Sequence, residues 1–139
     1  MSENKDWALG KVNDGENSLI LRLRKNLPDW CQKQSMPHLI VISWPCSGDQ
    51  GMPSDSENQE QITFEDLLDK GFDSIEHSLL TLVITGGNVK EWQWYTQNPE
   101  AFMQTLNSIL PQDKALPISL SHQDDSGWEA YHKWNPEKQ

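Results

Sequence analysis

Cysteine is scarce in this 139-residue chain: there are only Cys31 and Cys46, and no CxxC pair. That excludes a thioredoxin-like redox motif and a zinc ribbon, and two reduced thiols in a reducing compartment are the expectation. Basic charge is also in short supply, with 11 Lys and Arg against 21 Asp and Glu and a formal net charge of −10. Phosphate recognition needs a basic footprint, so a nucleic-acid partner is not expected. No apolar run approaches the length that spans a bilayer, and no apolar leader region opens the sequence, so the cytoplasm is the default compartment. Nucleophile and phosphate motifs are missing as well. There is no GxSxG, and "SGDQGMPS" (47–54) lacks the GK[ST] ending that places a lysine and a hydroxyl on phosphate.

What is present is a chain of single-domain size, read as one domain over 1–139 with an ordered core of about 6–134. The apolar fraction is 35%, gathered in short runs, and tryptophan is plentiful, with seven against two Tyr and three Phe. The acidity is local. Residues 49–76 hold nine acids and one base, whereas residues 1–37 are nearly balanced. A solvated helix face accounts for such a stretch, and a basic partner is the functional alternative.

"DWALGKV" and "SLILRL" flank the turn-forming "NDGEN", which predicts a β-hairpin. A polar connection over 24–37 follows, with Trp30 as its anchor. "HLIVISWP" (38–45) is continuously apolar and β-branched, as in a strand buried on both faces. Residues 46–59 read as a loop. A helix then carries Phe64, Leu67 and Leu68 at i, i+3 and i+4, with Gly71 available as a left-handed C-terminal cap. "SLLTLVIT" and "VKEWQWYT" are strands joined at "GGN". Asn98 and Pro99 start the clearest helix, along which Phe102, Met103, Leu106, Ile109 and Leu110 trace one stripe. "LPISLSHQ" alternates as a half-buried strand with Ile118, Leu120 and His122 on its apolar side. Ser126 stands three residues before Glu129, a capping-box pattern for a short terminal helix.

From residue 38 onward the order is β-α-β-β-α-β. The expected fold is therefore α+β: a ferredoxin-like βαββαβ sandwich with an N-terminal β-hairpin and a short C-terminal helix. Its central strands are 38–44 and 89–96, and the hairpin extends or covers the sheet. Alternation sends Trp92 and Trp94 to one side of their strand and Glu91, Gln93 and Tyr95 to the other. The tryptophans are expected under the 98–111 helix. The opposite face must meet the hairpin, the Trp128/Tyr131 segment or a partner subunit.

"DWALGKVNDGENSLILRLRK", "PHLIVISWP", "GMPS", "VITGGNVKEWQWY" and "DDSGWEAYHKW", in that order, resemble the domain of unknown function 695 family over Trp7 to Trp134. The resemblance implies a bacterial protein of about this size, from a family sometimes fused to a domain related to regulators of ribonuclease E. It brings no catalytic residue with it. The positions it carries over are Gly51, Met52 and Pro53, Trp92 with Tyr95, and Asp125, Trp128 and Tyr131. In the family pattern proline commonly follows the aspartate; here Ser126 does, which implies a different cap.

The expected function is a protein-interaction or regulatory module, with a homodimer as one form of partnership and catalysis not the first expectation. The alternative is an enzyme or small-molecule-binding protein. Its pocket would lie near Trp44, the Gly51–Met52–Pro53 loop and the C-terminal aromatics Trp128 and Tyr131, with Tyr95 and Asp125 on the same surface. Among the histidines, His122 with Asp124, Asp125 and His132 is the only local grouping. Its spacing matches no strong metal motif, so neither metal nor cofactor is expected.

Overall fold

The computed structural model describes residues 6–15 and 17–134. It is α+β, a six-stranded antiparallel sheet with three helices. The strands are β1 (Trp7–Asp14), β2 (Asn17–Arg24), β3 (His38–Pro45), β4 (Ser78–Gly86), β5 (Val89–Thr96) and β6 (Ser119–Asp124). The helices are α1 (Asp55–Gly71), α2 (Pro99–Ile109) and α3 (Glu129–Trp134). Strand order is β1-β2-β4-β5-β3-β6. The N-terminal hairpin extends the sheet through β2 on β4, and β3 and β5 are neighbours as expected.

Turn chemistry sets the register. Gly87 and Asn88, both at positive φ, form the two-residue connection between β4 and β5, the geometry that suits the twist of a tight hairpin. Within β4 a bulge falls between Leu80 and Leu82. It resets the alternation, so Leu80 and Val83 face the helices while Leu79 and Leu82 face the opposite side.

Two cores result. On the helix side, indoles of β3 and β5 interleave with phenyl rings of the helices. Phe64 lies 5.7 Å from Trp44 and 5.1 Å from Trp92, and Phe102 lies 5.3 Å from Trp94. The expectation that both tryptophans sit under the second helix is therefore half met: Trp94 packs on α2, but Trp92 packs on α1. The second core lies on the other face, where Leu21, Leu23, Leu39, Leu82 and Tyr95 are covered by Met36 of the 25–37 connection and by Trp128 and Tyr131.

Four local expectations need correction. First, α1 begins well inside the stretch read as a loop. Ser54 and Glu57 form a reciprocal capping box, a signal present in the sequence but lost among the polar residues around it. Second, Gly71 is the last residue of α1 rather than a left-handed cap. A Cβ there would collide with the Ile109 side chain, so the glycine allows α1 and α2 to approach closely. Third, β6 is not half-buried. It is an edge strand whose six residues are all exposed, and the first turn of α2 leaves a hollow beside Leu120 and His122 rather than covering them. Finally, α3 is capped by Asp125, whose carboxylate accepts from the Glu129 and Ala130 amides, and not by Ser126.

Candidate functional site

The aromatic and acidic residues near the C-terminus form a closed clasp. The Tyr95 and Trp128 rings stack 9° from parallel, with centroids 4.1 Å apart. The Trp128 indole N–H donates to the Met36 carbonyl at 2.9 Å, and the Tyr131 hydroxyl donates to the Arg24 carbonyl at 2.6 Å. The Tyr95 hydroxyl donates to Asp125 at 2.7 Å. Burial opposes charge on Asp125, but that hydroxyl and the two helix amides outweigh it and hold the carboxyl below its usual range. The same environment pushes the Tyr95 hydroxyl upward, first by desolvation and then by the carboxylate it faces. Trp128 holds a positive φ of 54°, strained for an indole-bearing residue, and the clasp maintains it.

The other sequence-derived candidates sit elsewhere. Trp44 is buried in the helix-side core against Phe64, on the opposite face of the sheet from Tyr95. Gly51, Met52 and Pro53 belong to a loop pinned to the β4–β5 turn. The Asn88 amide donates to the Gly51 carbonyl, and the Cys46 amide donates to the Asn88 carbonyl. Gly51 has φ 79°, and a Cβ there would lie 2.9 Å from the Asn88 nitrogen, so glycine is needed on both counts. Trp44, this loop and the terminal aromatics therefore do not converge on one pocket.

A cavity of about 470 Å³ opens instead between α1 and the end of the β1–β2 hairpin. Strand alternation builds it. Leu21 and Leu23 of β2 point into the second core, so Arg22 and Arg24 point to the helix side, where α1 leaves the outer strands uncovered. Arg22 is bound to Glu65 at 2.6 Å, and Glu65 also accepts the Trp92 indole N–H at 3.0 Å. Arg24 donates to the Leu80 carbonyl at 2.7 Å and lies 4.5 Å from the Trp7 ring centroid. Burial lowers its affinity for its proton, against the charge of Asp6. Trp30 and Trp94 complete the walls, and Asp69 and Asp73 stand at the rim. Desolvation and the nearby Glu65 raise the Asp69 carboxyl. Sequence reading missed this cleft: the expected strand ends at Leu23 and leaves Arg24 in the polar connection, whereas β2 runs to Arg24 and alternates Leu21 and Leu23 with Arg22 and Arg24.

The family model described as "Family of unknown function (DUF695)" matches residues 4–134. The chain belongs to that family. No curated protein matches the sequence. In this DUF695 member the local His/Asp grouping divides. Asp125 is engaged by Tyr95 and α3, and His132 packs its ring on Tyr131. His122 and Asp124 remain at the exposed edge, where they meet His38 of the neighbouring strand.

Proposed function

We propose that this DUF695 chain is a single-domain, ferredoxin-like interaction module whose cleft beside α1 receives a basic segment of a partner protein. The ferredoxin-like reading is supported by the β3-α1-β4-β5-α2-β6 order, with β3 and β5 adjacent and antiparallel. The observation that carries the functional reading is the charge left over in the cleft. Both arginines are engaged within the protein, whereas Asp69 and Asp73 form no ion pair among the described residues. An arriving lysine or arginine meets these carboxylates and the indoles of Trp7 and Trp30, and the acid-rich 49–76 segment steers it there. The free thiols of Cys31 and Cys46 suit a cytoplasmic setting.

Titration of the ¹⁵N-labelled protein with a short Lys/Arg peptide tests the reading. The indole resonances of Trp7 and Trp30 shift, and the paired substitution Asp69→Asn and Asp73→Asn weakens the effect. Equal shifts from an acidic peptide of the same length, or none from the basic one, refute it. A second reading rests on the volume, which lies within the range of small-molecule sites of roughly 300–1,000 Å³. Its sign is a metabolite that raises the melting temperature of the protein but not of Trp7→Ala.

A further inference from the structure

We propose that His38, His122 and Asp124 form a binding site for one divalent transition-metal ion of the Zn²⁺ class at the β3–β6 edge. The site is independent of the cleft beside α1. Pairing of the two strands assembles it. His38 is directly opposite Asp124, and Ile40 is opposite His122. Residues two apart on a strand share a face, so His122 and Asp124 project to the same side as His38, one from the facing position and one from the diagonal.

The donor atoms are spaced as a metal needs them. His38 Nδ1 lies 3.1 Å from His122 Nε2 and 3.4 Å from an Asp124 carboxylate oxygen, and all three donors fall within 4.8 Å of one another. Ligands on a tetrahedral ion at zinc–nitrogen distances of about 2.0–2.1 Å stand roughly 3.3 Å apart. Two of the three edges therefore match already. The third closes by rotation of the Asp124 side chain, which is 87% exposed and free to turn.

The donor chemistry fits as well. Two imidazoles and a carboxylate suit Zn²⁺, Ni²⁺ or Cu²⁺, and not Mg²⁺ or Ca²⁺, which prefer all-oxygen shells. The two histidine nitrogens now share a hydrogen bond, and one of them carries its proton. Metal binding requires the other tautomer at that ring, with both facing nitrogens presenting lone pairs, while Asp124 supplies negative charge. Three protein donors leave a coordination position open. Beside His122 lies a hollow of about 330 Å³ between β6 and the first turn of α2, lined also by Glu100 and Met103.

The test uses untagged full-length protein stripped of metal with a chelator, titrated calorimetrically with ZnCl₂. One equivalent binds. His38→Ala and His122→Ala each weaken binding by about tenfold or more, Asp124→Asn weakens it less, and His77→Ala leaves it unchanged. Imidazole ¹⁵N spectra show the His38 and His122 signals moving together. Because the side chains of β6 are exposed, the melting curve of His122→Ala stays that of the parent, which separates lost binding from lost folding. Absence of one-to-one binding overturns the proposal. So does binding that survives in both His38→Ala and His122→Ala.

Discussion

The Tyr95 hydroxyl and the Asp125 carboxylate, thirty residues apart in sequence, are joined by a 2.7 Å hydrogen bond that ties the sheet to the terminal helix. Asp125 simultaneously accepts from the Glu129 and Ala130 amides, so one carboxylate orients a core tyrosine and starts α3. Removing the hydroxyl with Tyr95→Phe keeps the stack on Trp128 and loses one charge-assisted bond, at a cost of about 1–2 kcal/mol. Asp125→Ala removes the helix cap as well and costs more, about 2–3 kcal/mol. Urea denaturation followed by near-ultraviolet circular dichroism reads both, and equal costs would show that the cap contributes nothing.

The same pair gives stability a pH signature at the alkaline end. The folded state raises the Tyr95 hydroxyl above its ordinary value of 10.0. Its contribution is complete below about pH 10 and fades as pH rises beyond it, because the unfolded chain then ionises first. Parent protein therefore loses stability above pH 10 more steeply than Tyr95→Phe. Melting temperatures between pH 9 and 11 measure the difference.

Glu65 is the partner of three groups at once: Arg22 at 2.6 Å, the Trp92 indole N–H at 3.0 Å and Lys90 at 3.8 Å. Burial penalises its charge, but Arg22 and these donors outweigh the penalty, and the carboxyl is held below its usual range. Glu65→Ala strands the Trp92 N–H and two partly buried cations, for an expected loss of about 2–4 kcal/mol. Glu65→Gln keeps an acceptor for the indole and loses less. The ratio of the two, from denaturant midpoints, distinguishes a hydrogen-bonding role from a purely electrostatic one.

How much of this was legible beforehand depends on the range of the interaction. The alternation that separates Trp92 and Trp94 from Tyr95 is a property of one strand, and it is what the structure shows. The neighbouring of β3 and β5 followed from element order. In contrast, Trp128 reaches a carbonyl ninety-two residues away, and His38 meets His122 across eighty-four. Such contacts depend on register between distant strands and leave no local spacing to read. Leu120 and His122 misled for a different reason. An apolar alternation on an edge strand looks the same as one on a covered strand, and only the strand's place in the sheet tells them apart.

Glu57 supplies an acid-side counterpart to Tyr95. Its carboxylate accepts from the Ser47 hydroxyl at 2.6 Å and from the Ser47 and Ser54 amides, both at 2.8 Å, and these bonds lower its pKa to about 2. A depressed carboxyl contributes stability above its unfolded value, and that stability is lost as pH falls from about 4.5 toward 2. Glu57→Gln lowers stability at neutral pH and flattens the acid limb in that window. An NMR titration that finds the Glu57 carboxyl at an ordinary value would sink this expectation.

Gly71 closes the contact between the two long helices. Alanine ordinarily favours a helix by about 1 kcal/mol over glycine, so substitution at the end of α1 looks stabilising by propensity alone. The added Cβ, however, enters the space of the Ile109 methyl groups, and a β-branched side chain has little freedom to withdraw. Overpacking of this kind costs about 1–3 kcal/mol, which outweighs the propensity gain. Gly71→Ala therefore destabilises the parent by about 1 kcal/mol. In an Ile109→Ala background the clash is gone and the same substitution becomes neutral or stabilising. That change of sign, measured in a double-mutant cycle by thermal denaturation, separates close helix approach from any requirement for a glycine backbone conformation, which would make alanine unfavourable in both backgrounds.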